Sequence, residues 1–314
     1  MPAFALKHVI ESQQFDRDLL ELVFQTADQM KADLQGERRL AKSLDGKIMA
    51  SLFYEPSTRT RFSFENAILR LGGSVVTTEN AREFSSAAKG ESLADSTRIM
   101  CGYSDVIVMR HNEAGSAAHA AEIASIPIIN AGDGAGQHPT QALLDMYTLV
   151  DNFPDFKNLK IAMVGDLRYG RTVRSLSYLL SRYENVEIIF VSPAVCKMER
   201  DIIAYLDKYK VSWRENMDLA QVISEVDCVY MTRIQKERFH SAEDYQAAAS
   251  KYILTPELVQ TMKQSAIIMH PLPRVNEIPQ EIDKDPRARY FQQAQNGLYI
   301  RMALLYLLLK NDKE

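Results

Sequence analysis

The sequence has 314 residues, of which 46% are hydrophobic and 25% charged, with a net charge of −4 at pH 7. That composition is ordinary for a soluble globular protein, and the length exceeds the size at which one core usually stops growing, so two domains are expected. The mild acidity argues against a non-specific binder of nucleic acid or of a membrane surface, and any anion site must be a local gathering of positive charge.

Residues 15–34 read as an amphipathic helix with Leu19, Leu22, Val23 and Ala27 on one side. The apolar run Ile48–Tyr54 reads as a strand that enters the turn Glu55-Pro56-Ser57-Thr58-Arg59-Thr60-Arg61. Phe64, Ala67, Ile68 and Leu71 then recur at helical spacing until Gly72-Gly73 stops the run. A helix that begins in this turn exposes backbone N–H groups to an anion, three hydroxyls add donors, and Arg59 offers a planar fork that matches a phosphate. The plainer alternative is a helix capped by Ser57 with solvated arginines. The nucleotide-binding G-x-x-x-x-G-K-[ST] loop is absent.

Ser74–Thr78 reads as a short strand, residues 79–90 as a polar loop, and a helix follows to about Cys101. Asp105–Met109 is an apolar strand ending at Arg110, residues 115–124 are helical, and the strand Pro127–Asn130 opens into a glycine-rich turn holding His138-Pro139-Thr140-Gln141. The next helix has Leu143, Met146, Tyr147 and Val150 on one face. A polar stretch at 151–158 marks a domain boundary, after which the pattern restarts. Strand Ile161–Val164 leads to Gly165–Thr172 with Arg171, then a helix carries Val173, Leu176 and Leu180. Strand Glu187–Val191, a helix, strand Asp227–Thr232 ending at Arg233, and strand Ala266–Met269 ending at His270-Pro271-Leu272-Pro273-Arg274 follow. The last helix has Ile300, Ala303, Leu304 and Leu307 on one stripe, with Arg301 off it. Strands alternating with helices in two series give the fold class: α/β, with two doubly wound parallel-sheet domains.

Cys101, Cys196 and Cys228 are odd in number and far apart, which reads as reduced, mostly buried thiols and not as a disulfide frame or zinc site. No basic-then-apolar segment opens the sequence, and the apolar run Ala303–Leu309 is too short to span a bilayer. The expected location is cytoplasmic, or plastid where a transit segment has been removed.

Ser57 to Arg61, Arg110, His138, Gln141, Arg171, Arg233 and His270 to Arg274 each follow the carboxyl end of an expected strand, the edge at which open α/β sheets bind ligands. Arginines gathered in one crevice repel each other unless anions sit among them. The first set suits a phosphate, and Arg171 and Arg233 suit carboxylates. Taken singly, Arg110 and Arg233 could be surface arginines, His138 a helix cap and His270 a turn-holder.

Taken together, Ser57-Thr58-Arg59-Thr60-Arg61, His138-Pro139-Thr140-Gln141, His270-Pro271-Leu272-Pro273-Arg274, and Arg233 with Gln235 in the segment Tyr230–Arg238 resemble the motifs of the aspartate/ornithine carbamoyltransferase family, in the same order, from about residue 6 to residue 309. Pro271 stands where ornithine-using members usually carry cysteine, so the resemblance is to the aspartate-using members. It implies a carbamoyl-phosphate-binding domain over 1–150, completed by the C-terminal helix 296–314, and an aspartate-binding domain over 151–295. It further implies that Ser57, Thr58, Arg59 and Thr60 bind the phosphate, and that Arg110, His138 and Gln141 hold the carbamoyl group. Carbonyls of Leu272 and Pro273 would accept from its amide, and Arg171, Arg233 and Gln235 would bind aspartate. The implied catalytic residues are Arg59, Thr60, Lys89, Arg110 and His138, with no protein nucleophile, no metal and no cofactor. The family forms homotrimers in which the loop after residue 79 crosses to a neighbour, so Ser85 and Lys89 would complete another subunit's site, Lys89 meeting aspartate there. Residues Thr77–Gly90 resemble the plant-type loop, which implies inhibition by UMP with Phe84 helping to hold the blocked state. Whether a regulatory chain docks, and what Arg168 does, stay open. The alternatives are a carbamoyltransferase for another amine and a non-catalytic anion-binding homologue.

Overall fold

The computed structural model describes residues 4–234, 241, 245 and 250–310. The chain divides into two units, Met1–Tyr147 with Gln295–Glu314, and Thr148–Ala294.

The first unit opens with α1 (Arg17–Gln35), capped where the Asp16 carboxylate accepts the Leu19 N–H at 2.9 Å. Its Leu20, Val23, Phe24, Ala27 and Met30 are buried. Then come β1 (Ile48–Phe53), α2 (Thr58–Arg70), β2 (Ser74–Glu79), α3 (Ala81–Phe84), a 3-10 turn (Ser86–Lys89), α4 (Leu93–Cys101), β3 (Val106–His111), α5 (Ser116–Ile123), β4 (Ile128–Asp133) and α6 (Pro139–Asn152). The strands form a parallel sheet in the order β2-β1-β3-β4. β1, β3 and β4 are buried almost throughout, as parallel strands covered on both faces must be. The β4 edge is covered by Val9, which donates to Ile128 O and accepts from Asn130 N–H, both at 2.8 Å. The β2 edge carries Val76, 64% exposed.

The final helix, Tyr290–Leu309, belongs to the first unit from Gln295 onward. It is not striped: Ile300, Met302, Ala303, Leu304 and Leu305 are all fully buried. Arg301, expected off the apolar stripe, is only 4% exposed, because this segment is covered on every side.

The second unit holds β5 (Lys160–Val164), α7 (Arg171–Leu180), β6 (Glu187–Val191), α8 (Arg200–Lys208), β7 (Ser212–Asn216), β8 (Cys228–Met231), a short helix Pro256–Gln260 and β9 (Ile267–Met269). Its sheet is parallel in the order β7-β6-β5-β8-β9. Ala162, Val164, Ile189, Met231 and Ile268 are among its fully buried residues. Gly165, at φ +114°, lets the chain leave β5 against β8: a Cβ there would lie 2.3 Å from the Thr232 carbonyl oxygen.

Three further expectations need correction. Residues 79–90 are not a plain loop but hold two short helical turns, whose small residues tolerate tight winding. β4 runs on to Asp133, past the expected end at Asn130. β7 was not anticipated, because a half-exposed edge strand of sequence Ser-Trp-Arg-Glu-Asn shows no apolar run; Arg214 ties it to Glu187 at 2.9 Å and to Glu225. Cys196 and Cys228 are buried, Cys101 is half-buried, and all three are free thiols. Among the described residues no helix is long and apolar enough to cross a membrane.

Candidate active site

Strand order decides where each unit offers a site. In the first sheet the connections run outward in opposite directions from β1 and β3, and in the second from β5 and β8. At such a switch point the loops leaving neighbouring strands diverge and open a crevice at the carboxyl edge. The motif 57–61 follows β1, Arg110 is the next-to-last residue of β3, and His138 follows β4. In the second unit Arg171 follows β5, Arg233 follows β8, and residues 270–274 follow β9.

Ser57 occupies the N-cap of α2, yet its side chain makes no capping bond. The first rung of the helix is Arg61 N–H to Ser57 O at 3.0 Å, so the N–H groups of Thr58, Arg59 and Thr60 precede the ladder. The first turn contains no acidic residue and carries arginines instead, the reverse of what the helix dipole favours. Arg61 is committed to Glu79 at 2.9 Å and to Glu65 at 3.8 Å. Arg59 is exposed, and crowding by protein on one side lowers its pKa from the ordinary value. Thr58 is exposed, and Thr60 is buried with its carbonyl accepting from Ser63 Oγ at 3.0 Å. An anion would relieve this concentration of positive charge.

Arg110 is 8% exposed and lies where the β3–β4 register shifts, between Met109 and His111. Irregularities of this kind re-aim a side chain beside a site. Its guanidinium donates to Ala131 O at 3.3 Å and pairs with Glu55 at 3.0 Å. Glu55, which begins the first motif, was not anticipated as a partner; its place one turn past β1, beside β3, is the available signal. The loop after β4 is stiffened by Asp133, which accepts from Gln137 N–H at 2.7 Å and Gly115 N–H at 2.9 Å. His138 is buried, and its carbonyl accepts the Gln141 and Ala142 N–H groups at 3.0 and 3.1 Å, so it caps α6 with Pro139 at the first helical position. Gln141 is buried and its amide donates to Asp145 at 2.9 Å. Ser85 is half-buried and donates to its own turn at Ala81 O; Lys89 is exposed. The side chain of Phe84 lies outside the described residues.

In the second unit Arg171 opens α7, again with no acid in the first turn, and is half-buried. Asp166 shapes the preceding turn by accepting Tyr169 N–H at 3.1 Å. Arg233 is exposed at the end of β8, and Gln235 lies outside the described residues. Arg168 pairs with Glu199 at 3.0 Å and lies over the Tyr169 ring, a surface arrangement. His270 is a turn-holder. Its Nδ1 accepts Leu272 N–H at 2.7 Å, so its Nε2 carries the hydrogen that faces Glu277 at 2.8 Å. Glu277 also accepts from Val275 and Asn276 N–H at 3.2 and 3.1 Å. This network holds Leu272, at φ +52°, and the cis bond to Pro273. Arg274 is bound to Asp283 at 2.6 Å and to Tyr290. Among the described residues no cluster of His, Cys, Asp and Glu fits a metal ion.

Two doubly wound units whose switch points carry arginine-bearing helix starts are suited to anionic ligands. Residues 7–151 match the model of the aspartate/ornithine carbamoyltransferase carbamoyl-P binding domain, and residues 157–308 match that family's Asp/Orn binding domain. The chain belongs to the aspartate/ornithine carbamoyltransferase family. It is 57% identical to the chloroplastic aspartate carbamoyltransferase 3 of Pisum sativum over 98% of this chain and 78% of the pea protein. The catalytic subunit of M. jannaschii aspartate transcarbamoylase superposes with a TM-score of 0.92 at 45% identity, covering 98% of this chain and all of that one. Trypanosoma cruzi aspartate transcarbamoylase in complex with N-(phosphonacetyl)-L-aspartic acid superposes at 0.90 with 39% identity, over 96% of each chain.

Proposed function

We propose that this enzyme is an aspartate carbamoyltransferase, making N-carbamoyl-L-aspartate and phosphate from carbamoyl phosphate and L-aspartate, the committed step of de novo pyrimidine biosynthesis. The observation that carries this reading is the pair of helices, α2 and α7, that begin at switch points with arginine in the first turn and no acid. The aspartate-using relatives support it further.

In this reading Ser57, Thr58, Arg59 and Thr60 hold the phosphate, and Arg110, His138 and Gln141 hold the carbamoyl group with the carbonyls of Leu272 and Pro273. Arg171, Arg233 and Gln235 take the two carboxylates of aspartate. The uncharged α-amine attacks the carbamoyl carbon, an N–C bond forms, and the negative charge that builds on the carbonyl oxygen is met by Arg110, Thr60 and His138. The C–O bond to phosphate then breaks. The leaving phosphate, neutralised by Arg59 and Lys89, accepts the amine's proton. Most of the acceleration comes from positioning and charge stabilisation.

Ser85 and Lys89 complete the site of a neighbouring subunit in a homotrimer; the exposure of Lys89 and the open β2 edge support this. UMP competes at the same site, with Phe84 helping to hold the blocked state. The location is cytoplasmic, or plastid as in the chloroplastic plant relatives. The test is phosphate release from carbamoyl phosphate. It should require aspartate, fail with ornithine, and fall when UMP is added. Release with ornithine alone would transfer the reading to another amine, and indifference to UMP, or to Phe84→Ala in its presence, would remove the inhibition.

A further inference from the structure

Behind Gln141 and behind the first turn of α2 lie two sets of polar contacts, made by Asp145 and by Arg301 with Ser63, residues outside the motifs. Gln141 Nε2 donates to Asp145 Oδ1 at 2.9 Å, one helical turn on, and Asp145 is completely buried. Arg301 of the last helix donates to Ser63 Oγ at 2.6 Å, and Ser63 Oγ donates onward to Thr60 O at 3.0 Å. The Arg301 guanidinium also lies 5.0 Å from the centre of the Phe64 ring. Gly297 leaves room for it: a Cβ there would lie 2.6 Å from Arg301 Nη1 and 3.0 Å from Leu144 Cδ2.

An amide side chain has one donor end and one acceptor end, and only its neighbours decide which faces the ligand. An ionised carboxylate accepts hydrogen bonds and donates none. With Asp145 behind it, Gln141 must turn its NH2 inward, which directs its oxygen away from Asp145. We propose that the buried pair Asp145 and Arg301 are positioning residues that fix the Gln141 amide as an acceptor, so that this site selects a substrate bearing N–H donors beside its carbonyl. This rests on the reading that Gln141 meets the carbamoyl group.

The charge state of the pair supports it. Burial pulls the Arg301 pKa down to about 9, and Asp145 works against that fall, so Arg301 stays cationic at neutral pH. The last helix therefore supplies the charge that keeps the Gln141 amide from turning round.

Acetyl phosphate tests this, because it replaces the carbamoyl NH2 with a methyl group and keeps the carbonyl and phosphate. The readouts are the KM for carbamoyl phosphate and the competitive inhibition constant of acetyl phosphate. Asp145→Asn keeps the volume but lets the amide pair either way round. It should raise the KM about tenfold and leave the acetyl phosphate constant within about twofold. In a Gln141→Ala background the same change should add less than about twofold, because its target is gone. Arg301→Lys should restore most of the discrimination, whereas Arg301→Gln should resemble Asp145→Asn and carries the test should that variant not fold. Equal weakening of both ligands, or an undiminished effect in the Gln141→Ala background, would overturn the proposal. Gln141→Ala with its preference for carbamoyl phosphate intact would overturn the assignment of Gln141 itself.

Discussion

Replacement of Glu277 by glutamine should destabilise the second unit by about 3 kcal/mol. The glutamate accepts on both sides: from His270 Nε2 with one oxygen, and from the Val275 and Asn276 N–H groups with the other. Glutamine has a single oxygen, so in either orientation its NH2 meets a donor, in a place where His270 is 2% and Glu277 8% exposed. A buried donor left unmet costs roughly 1–3 kcal/mol, and the loss of charge assistance adds to that. For a unit the size of Thr148–Ala294 the Tm should fall by roughly 6–12 °C. Burial alone would raise the Glu277 pKa, but the His270 hydrogen bond and the backbone donors outweigh it and hold it below the ordinary value. A depressed carboxyl stabilises the fold above its unfolded pKa and loses that contribution as pH falls through the folded value. The gap between wild type and Glu277→Gln should therefore be full at pH 7 and close only below the ordinary value of 4.5. The single tryptophan, Trp213 on β7, lies in the same unit and reports its unfolding in urea. Coincident midpoints at pH 7, or a gap unchanged down to pH 3, would refute the reasoning. Because the network holds Leu272 and Pro273, the KM for carbamoyl phosphate should rise as well.

Arg110→Ala should lower kcat by roughly 10²–10³-fold, the loss seen when an oxyanion donor is removed, and a fall of less than tenfold would take Arg110 out of that role. Arg59→Ala should weaken product inhibition by phosphate by roughly tenfold or more, measured against carbamoyl phosphate. Gly165→Ala should cost about 3 kcal/mol or more, since its φ of +114° and the 2.3 Å approach to Thr232 O leave no place for a methyl group; unchanged thermal unfolding would contradict that. Arg168→Ala should alter stability by less than about 0.5 kcal/mol, because its partner Glu199 is exposed and the pair is screened.

Much of this was legible in the sequence, for a physical reason. Parallel strands buried on both faces must be apolar runs, so Ile48–Phe53 and Val106–His111 announce themselves, and the polar residues just past them stand out. Edge strands carry no such signal, which hid β7 behind Trp213, Arg214 and Glu215. Arg301 was misjudged because periodicity assumes that a charged residue faces water, and here a serine, a ring and a missing Cβ at Gly297 make a polar slot inside. Asp145 was within reach: a carboxylate four residues after a buried amide on one helix is a contact that spacing alone can name.

The first unit is interrupted in sequence: its strands and α2 lie in the first 147 residues, while the helix that buries Ile300, Ala303 and Leu304 and brings Arg301 to Ser63 begins contributing at Gln295. On the ribosome the stretch from 148 to 294 is continuous and can complete its own sheet first. The amino-terminal half must wait, with an apolar surface uncovered, until the closing residues have been made. Residues from 295 onward, made after the second unit, therefore finish the first, and a nascent polypeptide stalled before residue 295 would hold a substrate cradle with no back wall.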